Sequence, residues 1–266
     1  MRYKMKKSLL ALALAVGVAA PTFAEDKQPD PSDLTAVNSF AFATVDDQGK
    51  IQGMVGVAGA YSEGNNFIGL VEHGVSTKTT DNGHKAQNSR LRYFQVIDTG
   101  SAALPQAGFS VDYMKWWAAT DQSISTDIVA LGAIAKVTTP WEAVSIFPNL
   151  AYVTGSAESK DPSIKADIKG YQVNLFGSIA LDEAGKYLVI QPQFMSVDLE
   201  PKGVQGKGEA NVFKVKTGFG MPISADGLWW TELSHTYTRT DAAVKAIDFT
   251  GVDNDNKFEI GVSYYF

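Results

Sequence analysis

The feature that most constrains this sequence is an alternation of apolar and polar residues that recurs in block after block along the chain. Clusters of Gly, Asp, Asn, Pro and Ser separate the blocks. After Ala24, no apolar run approaches the roughly 18 residues of a membrane-spanning helix, and no helical apolar stripe is sustained. Because a side-chain period of two is that of a β-strand, the chain is predicted to be all-β.

Twelve such blocks predict twelve strands. They fall at 34–45, 51–61, 66–77, 88–99, 107–117, 124–137, 142–156, 165–181, 187–200, 208–222, 228–239 and 256–266. Two prolines, Pro148 and Pro192, lie inside blocks, where each would remove a donor from the hydrogen-bond ladder. Either a bulge or a shifted strand boundary would accommodate them.

The final block shows the alternation most clearly. One face carries Phe258, Ile260, Val262, Tyr264 and Phe266, and the other carries Lys257, Glu259, Gly261, Ser263 and Tyr265. A last strand that alternates in this way and ends on an aromatic residue resembles the C-terminal signature of bacterial outer-membrane β-barrel proteins. The resemblance is to this class, in a porin-like form, and matches no specific family.

That resemblance implies a fold, a location and partners. The fold would be a transmembrane antiparallel up-and-down β-barrel of about 12 strands. The location would be the outer membrane of a Gram-negative cell, in contact with lipid and lipopolysaccharide. The five apolar residues of the last strand would be the signal that the barrel-assembly machinery recognises.

The composition of the two faces predicts which one meets lipid. The apolar faces carry large residues such as Phe213 and Phe219, whereas the opposite faces mix charges with Gly and Ala and would make a poor dry core. Tryptophans lie at block ends, where aromatic girdles lie in membrane barrels: Trp116, Trp117, Trp141, Trp229 and Trp230. Apolar side chains are therefore predicted to point outward, while a soluble periplasmic barrel would need the opposite assignment.

The N-terminus has the layout of a secretory signal. Four basic residues precede an apolar stretch, Leu9 to Ala20, which is followed by Thr22-Phe23-Ala24. Cleavage is predicted after Ala24, leaving one β-barrel domain at 25–266 behind a signal peptide at 1–24. Removing the signal takes away four positive charges and no negative ones, so the formal charge moves from −6 to −10.

Composition excludes several classes of protein. An acidic chain does not suit a nucleic-acid partner, whose phosphates require a basic surface. The chain has no cysteine, which excludes acylation on cysteine and disulfide stapling. With no cysteine and three scattered histidines, neither a zinc site nor any other cofactor is predicted.

An even strand count places both termini on the same side of the membrane, which is periplasmic in this class. The alternate connections are then extracellular. They include the two longest predicted loops, 78–87 and 240–255.

The faces opposite the apolar ones predict what lines the interior. The charged residues assigned to the lumen are Glu72, Arg90, Arg92, Asp112, Lys136, Lys214, Lys216, Glu232, Lys257 and Glu259. Uncharged candidates include Asn149, Gln172, Asn174, Gln191 and Gln193. Six positive and four negative groups make the interior slightly basic, either as ion pairs that brace the wall or as a path for solutes. Pairing through the turn near Ala225 would set Glu232 opposite Gly218 and diagonal to Lys216, within reach of an ion pair.

The sequence does not predict an enzyme. Ser234 and His235 are adjacent, so they point to opposite faces and cannot form a nucleophile–base pair. His73 lies on an apolar face whose own block offers no serine. The sequence Asp253-Asn254-Asp255-Asn256 lacks the Gly and Glu of a calcium loop and is predicted to be an exposed turn.

The function predicted first is a porin-like channel for passive diffusion of small hydrophilic solutes, with a weak anion preference. The alternatives are a non-conducting envelope barrel that binds partners through its loops and, less favoured, a barrel enzyme that acts on lipid.

Overall fold

The structure is a computed structural model that describes residues 38–79, 84–120, 123–160, 163–203, 206–244 and 249–266, together with residues 29, 31 and 33. The predicted signal sequence lies outside these residues. Within the described part of the chain, no helix is long and apolar enough to cross a membrane.

The described chain folds into twelve strands. They are β1 (Phe40–Asp46), β2 (Lys50–Ser62), β3 (Asn65–Ser76), β4 (Gln87–Asp98), β5 (Gln106–Trp117), β6 (Ser125–Lys136), β7 (Val144–Lys160), β8 (Ser163–Ala180), β9 (Tyr187–Pro201), β10 (Gly208–Pro222), β11 (Trp229–Val244) and β12 (Phe249–Tyr265). Most agree with the predicted strands to within a few residues.

Every strand pairs antiparallel with its neighbours in sequence, and β1 closes the sheet by pairing with β12. The closing ladder runs from Phe40, opposite Tyr265, to Asp46, opposite Glu259. The prediction of a closed up-and-down barrel of twelve strands is confirmed. We call the end that contains Phe40 and Tyr265 the terminal end, and the other the opposite end.

The apolar faces point outward. Val71, Leu131 and Leu150 are 56%, 52% and 60% exposed. Each of the twelve strands carries at least one exposed large apolar residue, such as Phe213 in β10. In β12, Phe258 and Ile260 are 59% and 50% exposed, while Gly261 and Ser263, on the other face, are buried. Such a continuous apolar exterior is stable in hydrocarbon and not in water, so the barrel is transmembrane.

The tryptophans follow the predicted girdles only in part. Trp117 and Trp229 lie on the outer face, and Trp141 is exposed in the connection after β6. Trp116 instead occupies an inner-face position, opposite Asn88. Trp230 is 1% exposed, and its Nε1 donates to the carbonyl oxygen of Gly227 at 2.7 Å. Adjacent residues of a strand face opposite sides, so one member of each Trp-Trp pair must point inward.

The aromatic cluster around Trp230 lies at the terminal end of the interior, on the inner faces of β9, β11, β12 and β1. Tyr187 and Tyr265 pack against it with ring centroids 6.0 and 6.2 Å away, and Phe40 joins the cluster. Gly185, in the turn before β9, has a φ of 89°, and a Cβ there would lie 2.6 Å from the indole ring. This turn lies outside the membrane-spanning strands. In it, the side chain and the backbone N–H of Lys186 donate hydrogen bonds to the Asp182 carboxylate, and these bonds lower the pKa of Asp182.

The two prolines lie in the strands without bulges. Pairing between β6 and β7 stops at Ile134 and Asn149 and resumes in the same register with the bridge between Val137 and Ile146. Pro148 lies in this gap, yet it remains paired with Leu175 of β8. Neither a bulge nor a shifted boundary is needed, because the ladder is interrupted on one side only.

Pro192 follows the same rule. Pairing between β8 and β9 lapses between Asn174, opposite Gln193, and Gly177, opposite Ile190. On its other side Pro192 pairs with Val215 of β10. Each proline therefore turns its missing donor toward one neighbour, and the other neighbour holds the register.

At the opposite end, the strands are longer than predicted. The expected loop at 240–255 is mostly strand, since β11 continues to Val244 and β12 begins at Phe249, with Thr240 opposite Asp253. The predicted turn at 253–256 is part of β12. The β7–β8 hairpin is also longer than the predicted strands 142–156 and 165–181, since β7 continues to Lys160 and β8 begins at Ser163. The outer faces of these extensions carry polar residues such as Glu158, Asp241 and Asn254, so they lack the apolar alternation by which strands are recognised.

Gly108 of β5 shows how tightly two strands approach. A Cβ at this residue would lie 1.7 Å from the backbone oxygen of Gln95 in β4, whereas one at Gly53 of β2 would have nothing within 4 Å. We predict that Gly108→Ala lowers the free energy of unfolding by about 1–3 kcal/mol because the backbones must separate. Urea unfolding in detergent micelles measures it.

Gly53→Ala is the matched control for that substitution and should change stability by less than about 0.5 kcal/mol. Equal effects of the two substitutions would show that the close approach of β4 and β5 does not set the cost.

Candidate functional site

The candidate site is the lumen, where charged side chains of neighbouring strands pair across the wall. Arg90 of β4 binds Asp112 of β5 through two contacts, with Nε donating to Oδ1 at 2.8 Å. Arg92 donates from Nη2 to Glu72 of β3, and Gln52 donates to the other oxygen of Glu72 at 3.1 Å. Both carboxylates are buried, so these pairs are shielded from water.

A second pair joins β10 and β11. Lys216 Nζ lies 2.7 Å from Glu232 Oε1, and the hydroxyl of Tyr187 donates to the other oxygen at 3.1 Å. The ion pair is the one that the sequence predicts, but the register differs, because Glu232 lies opposite Gly220 and not Gly218. The long lysine side chain spans the extra distance.

Two further ion pairs lie on the inner face. Lys257 Nζ and Glu259 Oε1 of β12 are 3.0 Å apart. At the terminal end, Lys136 of β6 pairs with Asp33 at 2.6 Å. Asp33 precedes β1 and was not predicted to face the lumen, because no strand alternation assigns a direction to a residue outside the barrel wall.

The structure adds Asp46 and Lys50 to the inner face. Asp46 is buried, and its Oδ1 accepts hydrogen bonds from the backbone nitrogens of Gln48 and Lys50 at 3.1 and 2.7 Å. Both residues fall in the connection between the predicted strands 34–45 and 51–61, so neither was assigned to the lumen. Their facing follows from register, with Asp46 opposite the inward Glu259.

Lys214 of β10 differs from the other inner cations. Arg90, Arg92, Lys257 and Glu72 all act on it electrostatically, although β4 lies six strands away in a ring of twelve. Within the described chain, no hydrogen bond or ion pair holds its ammonium group. Charges from opposite walls therefore approach each other in the middle of the lumen.

Buried amides form a hydrogen-bonded chain across β5, β7 and β8. Asn149 donates to Ser110 at 2.8 Å, Asn174 donates to Asn149 at 2.8 Å, and Gln172 donates to Asn174 at 3.1 Å. The sequence predicted three of these amides to be inward, and they are. They bond to each other because this part of the interior is filled with side chains.

An apolar cluster occupies the same side of the barrel. It consists of Met114, Ile128, Ala130, Ala151, Val153, Ile168 and Val197, all on the inner faces of β5 to β9. The expectation that inner faces would make a poor dry core is wrong for this side. In these strands the inner-face residues are apolar as well as the outer-face ones. They lie on five different strands, and only the assembled barrel brings them into contact.

A cavity of about 70 Å³ lies between the charged side and a group of inward aromatic rings. Arg92 and Gln191 provide polar groups at its wall, and Phe94, Phe147 and Phe176 provide rings. The rings of Phe94 and Phe176 meet edge to face with centroids 5.9 Å apart, although they belong to β4 and β8. The interior is therefore narrow here.

All ten charged residues predicted to face the lumen lie on the inner face, and pairing joins nine of them. Whether they line a conducting pore is a separate matter that remains a prediction.

On the outer face, the structure corrects one conclusion about histidine. Ser89 of β4 lies opposite His73 of β3, and its Oγ is 2.9 Å from His73 Nδ1. No serine was expected beside His73, because only its own strand was considered. Lys115 of β5 is the next residue in this row, and its ammonium group binds Asp127 of β6.

The remaining candidates for chemistry are separate. Ser234 is buried inside, while His235 lies outside against Phe258, so the prediction that they cannot pair is confirmed. Over the described ranges, no three His, Asp or Glu side chains are grouped so as to hold a metal ion.

Comparison with solved structures shows the fold. The chain is similar to the outer-membrane channel from Pseudomonas putida F1, with 11% identity, a TM-score of 0.55, and coverage of 90% of this chain and all of that one. It also matches the β domain of the Bordetella autotransporter BrkA, with 12% identity, a TM-score of 0.43, and coverage of 86% and 99%. It matches the siderophore receptor PiuA from Acinetobacter baumannii with 8% identity and a TM-score of 0.41, covering 85% of this chain but only 47% of the receptor's length.

A closed twelve-stranded barrel with an apolar exterior, sharing its fold with an outer-membrane channel, is an outer-membrane β-barrel protein, and it resides in the outer membrane. No protein-family model and no curated protein sequence matches the chain.

The pairing of Glu72 makes a quantitative prediction. Replacing it with Gln leaves Arg92 without its carboxylate in a buried position, so Glu72→Gln should lower the free energy of unfolding by about 3 kcal/mol. Urea unfolding of the refolded barrel, followed by tryptophan fluorescence, measures this loss.

Glu158→Gln is the control, because the Glu158–Lys165 pair has side chains that are 52% and 68% exposed. Its removal should cost less than about 0.5 kcal/mol. A similar small loss for Glu72→Gln would contradict the bracing role of the inner pairs.

Proposed function

We propose that the protein is a narrow channel for passive diffusion of small hydrophilic solutes, with a weak preference for anions. The observation that carries this proposal is the charged inner face of a barrel whose outer face is apolar. Charged and amide side chains are costly inside a membrane unless they meet water or each other. Among the described residues, the lumen also contains a charge without an ion-pair partner, that of Lys214, and such a lumen suits hydrated solutes.

The balance of charge supports the anion preference. In the middle of the lumen, the cations are Arg90, Arg92, Lys214 and Lys257, and the carboxylates are Glu72, Asp112 and Glu259. The excess is one positive charge. Asp253 and Asp255 occupy inner-face positions of β12 near the opposite end, so an acidic entrance offsets part of this preference.

The filled side of the barrel supports a narrow passage. The apolar cluster and the amide chain occupy the inner faces of β5 to β9. A passage for solutes would then run along the charged inner faces of β10 to β12 and β1 to β4. This geometry favours small ions and small polar molecules over oligosaccharides.

The proposal includes an orientation and an assembly route. The terminal end faces the periplasm, the longer hairpins face outside toward lipopolysaccharide, and the assembly machinery recognises the last strand through Phe258, Ile260, Val262, Tyr264 and Phe266. The correction at 240–255 removes one of the two long loops that the non-conducting alternative requires.

Reconstitution in planar bilayers tests the channel. We expect discrete single-channel currents and, under a salt gradient, a reversal potential that favours anions. The physical reason is the excess positive charge in a confined lumen. Heat-modifiable gel mobility of the same sample serves as the check that the barrel is folded.

Two results would count against the proposal. A folded barrel without conductance would favour a non-conducting envelope protein. Conductance with a clear cation preference would contradict the role assigned to the inner charges.

The hydrogen bond between His73 and Ser89 favours a second candidate function, hydrolysis of a lipid ester at the outer face. Histidine next to a serine hydroxyl can accept its proton as the oxygen attacks an ester carbonyl. Lys115, beside Ser89 in the register, would lie near the oxyanion. The ester C–O bond would then break, and the lipid alcohol would leave with the proton held by His73. Water would hydrolyse the acyl-Ser89 ester, which releases the fatty acid and restores the serine hydroxyl. Within the described chain, no carboxylate bonds to the His73 ring, which makes this the weaker candidate.

An assay with phospholipid in mixed micelles tests this candidate. If the pair is catalytic, Ser89→Ala should reduce hydrolysis by at least about a hundredfold, because the nucleophile is gone. Ser263→Ala, on the inner face of β12, is the control and should retain activity. Absence of hydrolysis by the folded wild-type barrel would reject the candidate and leave the pair as a cross-strand contact.

A further inference from the structure

We propose that the middle of the lumen contains a binding site for one small monovalent anion, such as chloride or a short carboxylate. Lys214 and Arg92 would supply the positive charge, and the amides of Gln191 and Gln193 would donate hydrogen bonds. The inference rests on the proposed function, because solutes must reach the lumen. It identifies Lys214 as the residue that binds the anion there.

The first argument is the distribution of ion pairs. Each inner carboxylate near Lys214 already has a partner: Asp112 is held by Arg90 through two contacts, and Glu72 is held by Arg92 and Gln52. Glu259 is paired with Lys257. Asp255 lies in the same inner row two strands away, but it accepts a hydrogen bond from Gln48. No carboxylate of the described chain forms an ion pair with Lys214, so an anion from solution would compensate its charge.

The second argument is that cations meet at this point from several directions. Lys214 is on β10, Arg90 and Arg92 are on β4, and Lys257 is on β12, and all three act on Lys214. Since β4 and β10 lie on opposite sides of the barrel, the anion would sit between walls and not on a flat surface. Confinement strengthens the attraction of each charge because water is excluded.

The third argument is an unfilled donor beside an empty space. Arg92 Nε is buried and has no hydrogen-bond partner in the described structure. Arg92 and Gln191 both line the 70 Å³ cavity. Gln193 lies directly opposite Lys214 in the register, and Gln191 is the next inward residue of β9, so the two amides connect Lys214 with this cavity.

The size of the space limits the ligand. One water molecule needs roughly 10–15 Å³ of such volume, so about 70 Å³ accommodates chloride or acetate with little water. A sugar acid such as gluconate is too large to enter it. Small anions should therefore bind, and large ones of the same charge should not.

Thermal unfolding of the folded barrel in detergent measures binding without requiring conduction. Chloride should raise the midpoint of unfolding in a saturable manner relative to gluconate at equal ionic strength and sodium concentration, because a ligand that binds only the folded state stabilises it. In Lys214→Gln this saturable increase should disappear, while Lys214→Arg, which keeps the charge, should retain it.

The matched control removes charge without changing the balance. The double variant Lys216→Gln with Glu232→Gln loses one pair on the neighbouring strands, keeps the net charge of the lumen, and should retain the chloride response. Loss of the response in this control to the same degree as in Lys214→Gln would overturn the assignment to Lys214.

Failure of the inference can be distinguished from failure of the channel. A barrel that conducts but shows no chloride-specific stabilisation has a lumen without the site, and the inference is wrong while the channel stands. A barrel that is stabilised by chloride but carries no current has the site, and the channel is wrong. An equal response in wild type and Lys214→Gln would also overturn the proposal.

Discussion

The closed hydrogen-bond ladder is the constraint on which the rest of this structure depends. Hydrocarbon offers no partner to a backbone amide, so a sheet can cross a membrane only when its last strand pairs with its first. The pairing of β1 with β12 meets this requirement. Closure then gives each strand one face toward lipid and one toward an enclosed interior, and the sequence must supply two chemistries in alternation.

The outer wall is predictable from sequence because lipid imposes one rule on every strand. The alternation in β12, with Phe258, Ile260 and Val262 on one face, identifies an outward face without knowledge of its neighbours. The same logic correctly assigns the directions of Arg92, Lys214 and Glu232. It fails at residues whose direction is set outside the membrane-spanning wall, such as Asp33 and Lys50, and in the polar ends of β11 and β12, where water on both sides removes the alternation.

The contacts inside the barrel are less predictable, since they depend on strand register and on which side chains meet across the interior. Alternation places Lys216 and Glu232 on the inner face, but the strand register decides which residues lie opposite them. Trp230 was predicted to lie in an aromatic girdle, but it is the centre of a buried cluster. The approach of His73 to Ser89 and of Phe94 to Phe176 involves residues on different strands, and no pattern within one strand shows such contacts.

The two prolines give the wall an uneven strength. Pro148 weakens the seam between β6 and β7, and Pro192 weakens the seam between β8 and β9, whereas β7 and β8 are paired from Val144 and Ile179 to Lys160 and Ser163. The β7–β8 hairpin is thus fully paired between its two strands, while its ladders to β6 and to β9 are each interrupted. Both interruptions border the cavity lined by Phe147, Phe176 and Gln191. Fewer backbone hydrogen bonds hold these two seams than hold the β7–β8 seam, so beside the cavity the wall resists shear less than it does between β7 and β8.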